Sequence, residues 1–376
     1  MSHIKHVLVT GGAGFIGSFL VDSLVGAGYS VTSVDSLEPQ VHRNKQPDYL
    51  NAKCNYIWGN CGDRKLIASA LSGIDAVIHL AARVGVAQSM YQIEHYVQGN
   101  ELATAVLLEE IVKLKNKPKK LVVASSMSIY GEGAYVNSTG AAIPVSPRSE
   151  AQLRDRKWEL FDNDNGEILK PVPTPETKPL QPCSIYAIGK RSQEEMVHSI
   201  GRAYDIPSVA CRFFNVYGSR QALSNPYTGV AAIFCSRYIK GVAPLVFEDG
   251  RQSRDFVHVT DIAAALRLCL EKEAANFKTF NVGSGEPITV IEIADLLSQA
   301  LTDGKIIAQC SGEFRAGDIR HCFADISKIR KLLGFEPRCH FRTDIGELVD
   351  WVRHQQAVED NFGAALSEAK QRGLIN

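Results

Sequence analysis

Val7-Leu8-Val9-Thr10-Gly11-Gly12-Ala13-Gly14-Phe15-Ile16-Gly17 decides the fold. A short β-branched run ends in glycines at 11, 14 and 17, and apolar residues at helical spacing follow to Ala27. Glycine at these three places lets a strand turn sharply, brings backbone amides close to a pyrophosphate, and packs the next helix tightly on the sheet. The positive end of that helix then faces the phosphates. A glycine turn alone is weak evidence, since a tight turn wants glycine for steric reasons. Here it follows a strand pattern, opens a helix pattern, and is answered by Asp35, eighteen residues beyond Gly17, at the end of the next β-branched run. A carboxylate at that place accepts hydrogen bonds from the adenosine ribose and repels a 2′-phosphate, and Ser36 follows it rather than an arginine, so the expected cofactor is NAD and not NADP.

Working outward, Val7 to Thr10, Ser30 to Asp35, Asn55 to Trp58, Asp75 to Leu80 and Lys120 to Ser125 read as strands, with helices at Phe15 to Ala27, Arg64 to Leu71 and Ile93 to Lys115. This alternation predicts an α/β fold, a Rossmann-type doubly wound parallel sheet, with functional residues at the carboxyl ends of its strands. Further helices are expected at Ser184 to Tyr204, Asp261 to Glu271 and Val290 to Leu301, and strands at Ser208 to Phe213 and Thr279 to Val282. Between about Gly133 and Pro182 the chain is polar, and from Pro171 to Pro182 it holds five of the fifteen prolines, which predicts an extended loop or lid with one short helix near Ser149 to Trp158. Residues 357–376 read equally well as a terminal helix or a frayed tail.

Composition narrows the partners. The 376 residues allow two or three domains, and 41 basic residues balance 41 acidic ones, so the footprint of a nucleic-acid binder is missing. Nine cysteines stand singly with no C-x-x-C pair, which gives zinc-ribbon and dithiol readings no support and predicts that most of them are small buried hydrophobes. The apolar run before Gly11 is too short for a signal sequence and no stretch reaches 18 apolar residues, so no membrane partner and a cytoplasmic setting are expected.

Strand-end serines at 125 and 126 precede Tyr186 and Lys190, which lie four apart and share a helical face. An ammonium near a phenol favours the phenolate, which can act as general base on an alcohol while a serine hydroxyl holds the same oxygen. Asn60 and Cys61, after the third strand, would lie beside the adenine, or else form a simple turn. Leu80, Ala81 and Ala82 are small or apolar residues where backbone would skirt the cofactor, and His79 within Val77-Ile78-His79-Leu80 reads as a satisfied core histidine rather than a base.

With these motifs in view the chain resembles the extended short-chain dehydrogenase/reductases, and within them the nucleotide-sugar epimerases and dehydratases. The resemblance rests on Thr10 to Gly17, Asp35, His79 to Ala82, Asn100, Ser125-Ser126, Tyr130-Gly131, Tyr186 with Lys190, Arg212 to Gly218, Arg254 to Val259, Phe280 to Gly283 and Arg315 to Asp318. It implies that Ser126 is the catalytic serine, four residues before Tyr130, while Ser125 lies beside the nicotinamide. It adds Asn100 and Phe213 to a cofactor set of Gly11, Gly14, Phe15, Ile16, Gly17 and Asp35. On the substrate side it implies Gln88, Asn215 and Val230, Leu245 to Phe247 over a nucleobase, and Arg254 with Arg315 clamping a diphosphate. Homodimerisation through the helices at Ile93 to Lys115 and Ser184 to Tyr204 is likewise implied by the resemblance.

Dehydratases and decarboxylases of this kind carry an acid next to the catalytic hydroxyl, where this chain has Met127 and Ser128. The leading expectation is therefore 4-epimerisation of a nucleotide-diphosphate sugar. The alternatives are a nucleotide-sugar 4-ketoreductase or dehydrogenase, an eliminating or decarboxylating relative, and a non-catalytic NAD sensor. A finer resemblance, to enzymes acting on dTDP-linked 6-deoxyhexoses, lies in Ser36 to His42, Gln88 to Tyr91, Ser219 to Gly229 and Asp318 to Asp325. The expected domains are a cofactor domain of residues 1–132, 183–218 and 255–285, an insertion at 133–182, and a discontinuous α/β substrate domain of 219–254 and 286–376.

Overall fold

The computed structural model describes residues 4–375 except 44, 224, 226, 228, 316 and 356–361. Ser224, Pro226, Thr228 and Ala316, part of the motifs above, therefore lie outside the described residues. A seven-stranded sheet carries the cofactor domain, with β1 (His6–Thr10) beside β2 (Ser30–Asp35), then β3 (Asn55–Trp58); on its other side follow β4 (Ala76–His79), β5 (Lys120–Ser126), and the strands Ser208–Phe213 and Lys278–Val282. Every pairing is parallel. The chain order reverses direction between β1 and β4, which opens a crevice above their carboxyl ends, the usual place for a ligand in such sheets.

Because the strands are covered on both faces, they are near-continuous apolar runs rather than alternating ones. Val7, Val9, Ile78, Val122, Val209 and Phe280 are buried with Leu20, Leu24, Ile262 and Leu266 from helices α1 (Phe15–Gly26) and Val259–Glu271 on one face. Leu8, Val77, Leu121 and Val123 meet Ile67, Leu107, Ile111 and Val197 on the other. The expected helix from Ile93 is broken into Ile93–Val97, a π-helical turn Gln98–Leu102, and Ala103–Lys113. The wider turn falls on Asn100 and lets its side chain leave the helix line, a frequent reason for π-turns at working positions.

The substrate side is built around a second core in which Tyr217, Phe256, Phe234, Phe341, Ile293 and Val352 pack together. Strand Asn215–Tyr217 pairs in parallel with Ser253–His258, which pairs antiparallel with Pro287–Thr289.

Residues 133–182 depart from the expected loop. They form a three-stranded antiparallel sheet (Ala134–Val136, Ala142–Ile143 and Lys170–Val172), the expected short helix at Glu150–Arg154, and a small core of Tyr135, Val145, Leu160 and Leu169. Pro171 sits on an edge strand of that sheet, which needs no backbone donor on its outer side. A buried ionic network fastens the unit to its neighbours. Arg148 makes a bidentate pair with Glu248 (2.9 and 2.8 Å), while Arg320, fully buried, meets Glu159, Glu248 and Asp249. Such long-range pairing leaves no signal in a local pattern.

Candidate active site

The glycine loop is tight for steric reasons that can be named. Gly11 has φ +76°, and a Cβ there would lie 2.9 Å from the Ala81 amide nitrogen. A Cβ on Gly17 would fall 2.0 Å from the Gly11 carbonyl oxygen. Gly14 is the N-cap of α1 and brings no side-chain cap, so the first amides of that helix, with Phe15 and Ile16 in its opening turn, are left for an anion. Asp35 accepts from the amides of Ala13 (3.0 Å) and Leu37 (2.9 Å), so the second strand holds the loop in place.

The walls of this crevice come from β4 and the π-turn. The Leu80 amide donates to the Thr10 carbonyl (3.1 Å) and the Ala81 amide to the Thr10 hydroxyl (3.2 Å), which carries the chain through Ala82 beside the glycine loop. Asn100 accepts from the Arg83 amide (2.6 Å) and donates to the Arg83 carbonyl (3.2 Å), bracing that same segment. His79 is bonded to Thr10 (2.7 Å) and Thr104 (2.9 Å), and burial beside Lys190 holds its pKa down to about 3, so it is a neutral structural histidine as expected. Cys61 is buried, with burial pushing its thiol up to about 12. Asn60 closes a turn onto the Gly62 amide (2.7 Å), the simpler of its two readings.

Ser125 and Ser126 end β5, opposite Arg212 and Phe213 of the next strand. The Ser125 hydroxyl is buried without a hydrogen-bond partner among the described residues, so it is free to bond a cofactor group. Ser126 accepts from the Ser128 amide (3.2 Å) and hydroxyl (2.9 Å). Tyr186 and Lys190 lie in helix Ile185–Ala203, whose N-cap Ser184 accepts from the Ala187 amide. The Tyr186 amide donates to Ser89 (3.0 Å), and Lys190 donates to the Ala124 carbonyl (3.0 Å). Burial raises the Tyr186 pKa while a hydrogen bond with Ser126 opposes that rise. Burial also lowers Lys190 to about 7, against the attraction of Glu101. The three candidate catalytic residues are thus brought to one strand end.

The substrate-side residues gather less evenly. The Asn215 side-chain oxygen Oδ1 is buried and unpartnered among the described residues. Arg254 is splayed over the carbonyls of Ser253 (2.9 Å), Arg320 (3.1 Å) and Ile319 (2.6 Å), with Asp318 at 3.4 Å. The Arg315 guanidinium stacks 4.3 Å over the Phe247 ring. Gln88 is buried and bonded to Gln40 (3.1 Å) and Tyr96 (3.0 Å), and Val230 opens helix Val230–Ile239. Phe247 and Leu245 do not form an open wall, because Ala369, Leu374 and Ile375 pack on them. Sequence reasoning missed this covering segment and the Arg83–Glu38 ion pair, and it gave Tyr91 and Tyr227 no role beyond the motifs that contain them. Only tertiary contact places these residues at the site.

Comparison with known proteins agrees with this geometry. The model of the NAD dependent epimerase/dehydratase family matches residues 7–150 and 164–283. Among curated relatives, dTDP-L-rhamnose 4-epimerase of Burkholderia thailandensis is 33% identical over 356 residues, covering 93% of this chain and 96% of that protein. Among solved structures, UDP-glucose 4-epimerase of Thermotoga maritima with UDP-glucose is 30% identical at TM-score 0.74, covering 93% of this chain and 99% of the other. UDP-N-acetylglucosamine 4-epimerase from Methanobrevibacter ruminantium, in complex with UDP-N-acetylmuramic acid, is 31% identical at TM-score 0.75, covering 94% and 99%. The glycine cradle, the uncapped helix start and the orphaned Ser125 hydroxyl fit a dinucleotide. The chain belongs to the NAD dependent epimerase/dehydratase family, and its cofactor is NAD.

Proposed function

We propose that this enzyme interconverts a nucleotide-diphosphate sugar with its C4 epimer, with dTDP-L-rhamnose or a related 6-deoxyhexose as the sugar. The observation that carries the reading is Ser126, Tyr186 and Lys190 converging at the end of β5 with Met127 and Ser128, rather than acids, beside them. Neither neighbour can protonate a leaving group near neutral pH, which disfavours elimination. The similarity to a dTDP-L-rhamnose 4-epimerase supports the choice of sugar.

In this reading Tyr186, as phenolate, takes the proton of the sugar 4-hydroxyl while Ser126 holds the same oxygen. NAD, when bound beside Ser125, would supply a reversible hydride acceptor for the sugar C4. Arg254 and Arg315 hold the diphosphate, so the 4-keto sugar can turn about that tether and present its other face. Tyr186 then returns its proton to the new alkoxide. Lys190, held in register by its bond to Ala124 and lowered to about 7 by burial, favours the phenolate in its protonated form, against the burial that raises Tyr186.

The domain division at 132, 183, 218, 255 and 285 belongs to the same proposal; two separate cores support it in outline, although Cys322, Ala324, Ile326, Ile329, Leu333 and Phe335 pack in the cofactor-domain core and Tyr217 and Phe256 in the other. So does a homodimer: Ile93, Val97, Leu102 and Ile188 expose 50%, 40%, 54% and 47% of their surface on the helices expected to pair. Light scattering at micromolar concentration reading a monomer would remove the dimer.

The test of function is a panel of nucleotide sugars followed by sugar proton couplings in NMR. Inversion at C4 with no stoichiometric absorbance change at about 340 nm is expected, since reduced nicotinamide should not accumulate. A stoichiometric change would favour the 4-ketoreductase instead.

A further inference from the structure

The C-terminal segment makes contacts for which the reaction so far has no use. Helix Phe362–Gln371 continues through a turn to Ile375. Leu366, Ala369, Leu374 and Ile375 pack on Phe247 and Leu245, and the Ile375 backbone bridges that of Arg315. The other edge of the segment reaches the cofactor side. Glu368 accepts from the Tyr91 hydroxyl (3.2 Å), Arg372 lies 4.3 Å over the Tyr91 ring, and the hydroxyls of Tyr91 and Tyr227 are 2.6 Å apart. Tyr91 follows helix Val86–Ser89, whose Ser89 accepts from the Tyr186 amide. One short segment therefore touches both the residues expected at the nucleotide and the stretch that seats the candidate catalytic tyrosine.

Arg315 distinguishes a wall from a plug. Its Nε is buried with no partner among the described residues, while its guanidinium stacks on Phe247 and Ile375 lies against its backbone. A buried N–H without an acceptor is costly, and an anionic oxygen would satisfy it. The side chains that the segment packs on Phe247 are apolar and cannot stand in for that anion. An anionic ligand at Arg315 would therefore complete a site that the segment already covers.

We propose that residues 362–375 are a strap that closes over the nucleotide end of the cleft, latched to Tyr91 by Glu368 and Arg372, and that a bound nucleoside diphosphate leaves only when the strap opens. The proposal rests on the nucleotide-sugar reading of this cleft. Its apolar cluster is small and its ion pair Lys370–Glu313 is solvent-facing, so opening costs little next to unfolding either core.

The test compares the NAD-loaded full chain with a chain ending at Gln355 and with the full-length double variant Glu368→Ala/Arg372→Ala, using UDP and dTDP alone as probes. Stopped-flow competition should show release about tenfold faster in both variants, a change carried mainly by the off-rate, with NAD content unchanged. Exchange of the amides of 362–375 should slow when either nucleotide binds. Equal release rates in the double variant, or tighter binding to the shortened chain, would overturn the strap, the latter by showing that the segment competes for the site. If the full chain binds neither probe, the nucleotide reading itself fails and the strap with it. The double variant keeps the apolar contacts, so a folding defect in the shortened chain does not decide the outcome.

Discussion

Lys190 donates to the carbonyl of Ala124 at 3.0 Å, tying the helix that carries Tyr186 to the strand that carries Ser126. Lys190 stands four positions after Tyr186 on the helix, and Ser126 stands two positions after Ala124 on the strand. Chemistry and packing therefore depend on the same bond. Replacing Tyr186 by Phe removes the proton acceptor without altering the ring, and turnover should fall by about 10²–10⁴-fold with NAD still bound. Rapid-mix kinetics with NAD quantified after denaturation checks both halves of this expectation.

Folding lowers the Lys190 pKa from 10.5 to about 7 because burial outweighs the attraction of Glu101. Between those values the unfolded chain holds more protons than the folded one, so this contribution to stability is complete above 10.5 and is lost as pH falls through about 7. In cofactor-free protein, the stability of wild type measured against Lys190→Met should climb across that window. A flat difference in urea midpoints would show that the ammonium is better solvated than its burial implies.

At the clamp of the insertion the sign concerns an acid. Burial pushes Glu159 up, but hydrogen bonds and charge from His321 and Arg320 win and draw it from 4.5 to about 2. Its contribution is present above pH 4.5 and is lost as pH falls through about 2. Protection factors of the amides in residues 133–182, corrected for the intrinsic pH dependence of exchange, should fall in acid in the wild type and show a weaker pH dependence in Glu159→Gln.

Arg148→Ala leaves Glu248 buried with one cationic partner fewer, and should destabilise the protein by about 3–5 kcal/mol, the usual result of breaking a buried pair. Denaturant titration reads this loss. A change under about 1 kcal/mol would mean that Arg320 compensates by itself.

A methyl group at position 17 would meet the Gly11 carbonyl oxygen at 2.0 Å, and both atoms belong to the loop expected to hold the pyrophosphate. Gly17→Ala should lose most NAD binding by calorimetry while costing about 1–3 kcal/mol in stability, the usual range for overpacking. Asp35→Ala should weaken NAD and narrow the preference over NADP, because the repelling carboxylate is gone. Retained discrimination in that variant would place the selecting group elsewhere.

The sheet, its parallel order and the cofactor loop were legible in the chain because each depends on local chemistry: glycine where the backbone must turn, β-branched runs where both faces are covered, Asp35 where the second strand ends. Tyr186 and Lys190 were legible for the same reason, since four residues of helix fix which side chains share a face. The insertion was misread as a loop because its prolines argue locally against helix. Its three short strands hold through a small core of their own and through pairs such as Arg148–Glu248, a hundred residues apart. The covering of Phe247 by Ile375, the packing of Arg372 on Tyr91 and the buried isolation of the Ser125 hydroxyl have no local signature either. Sequence periodicity reports what neighbours along the chain can share, and it determined the cofactor scaffold and singled out the proposed reacting groups. Which distant segments close around those groups depends on burial and charge pairing across the whole molecule, and that only the tertiary structure decided.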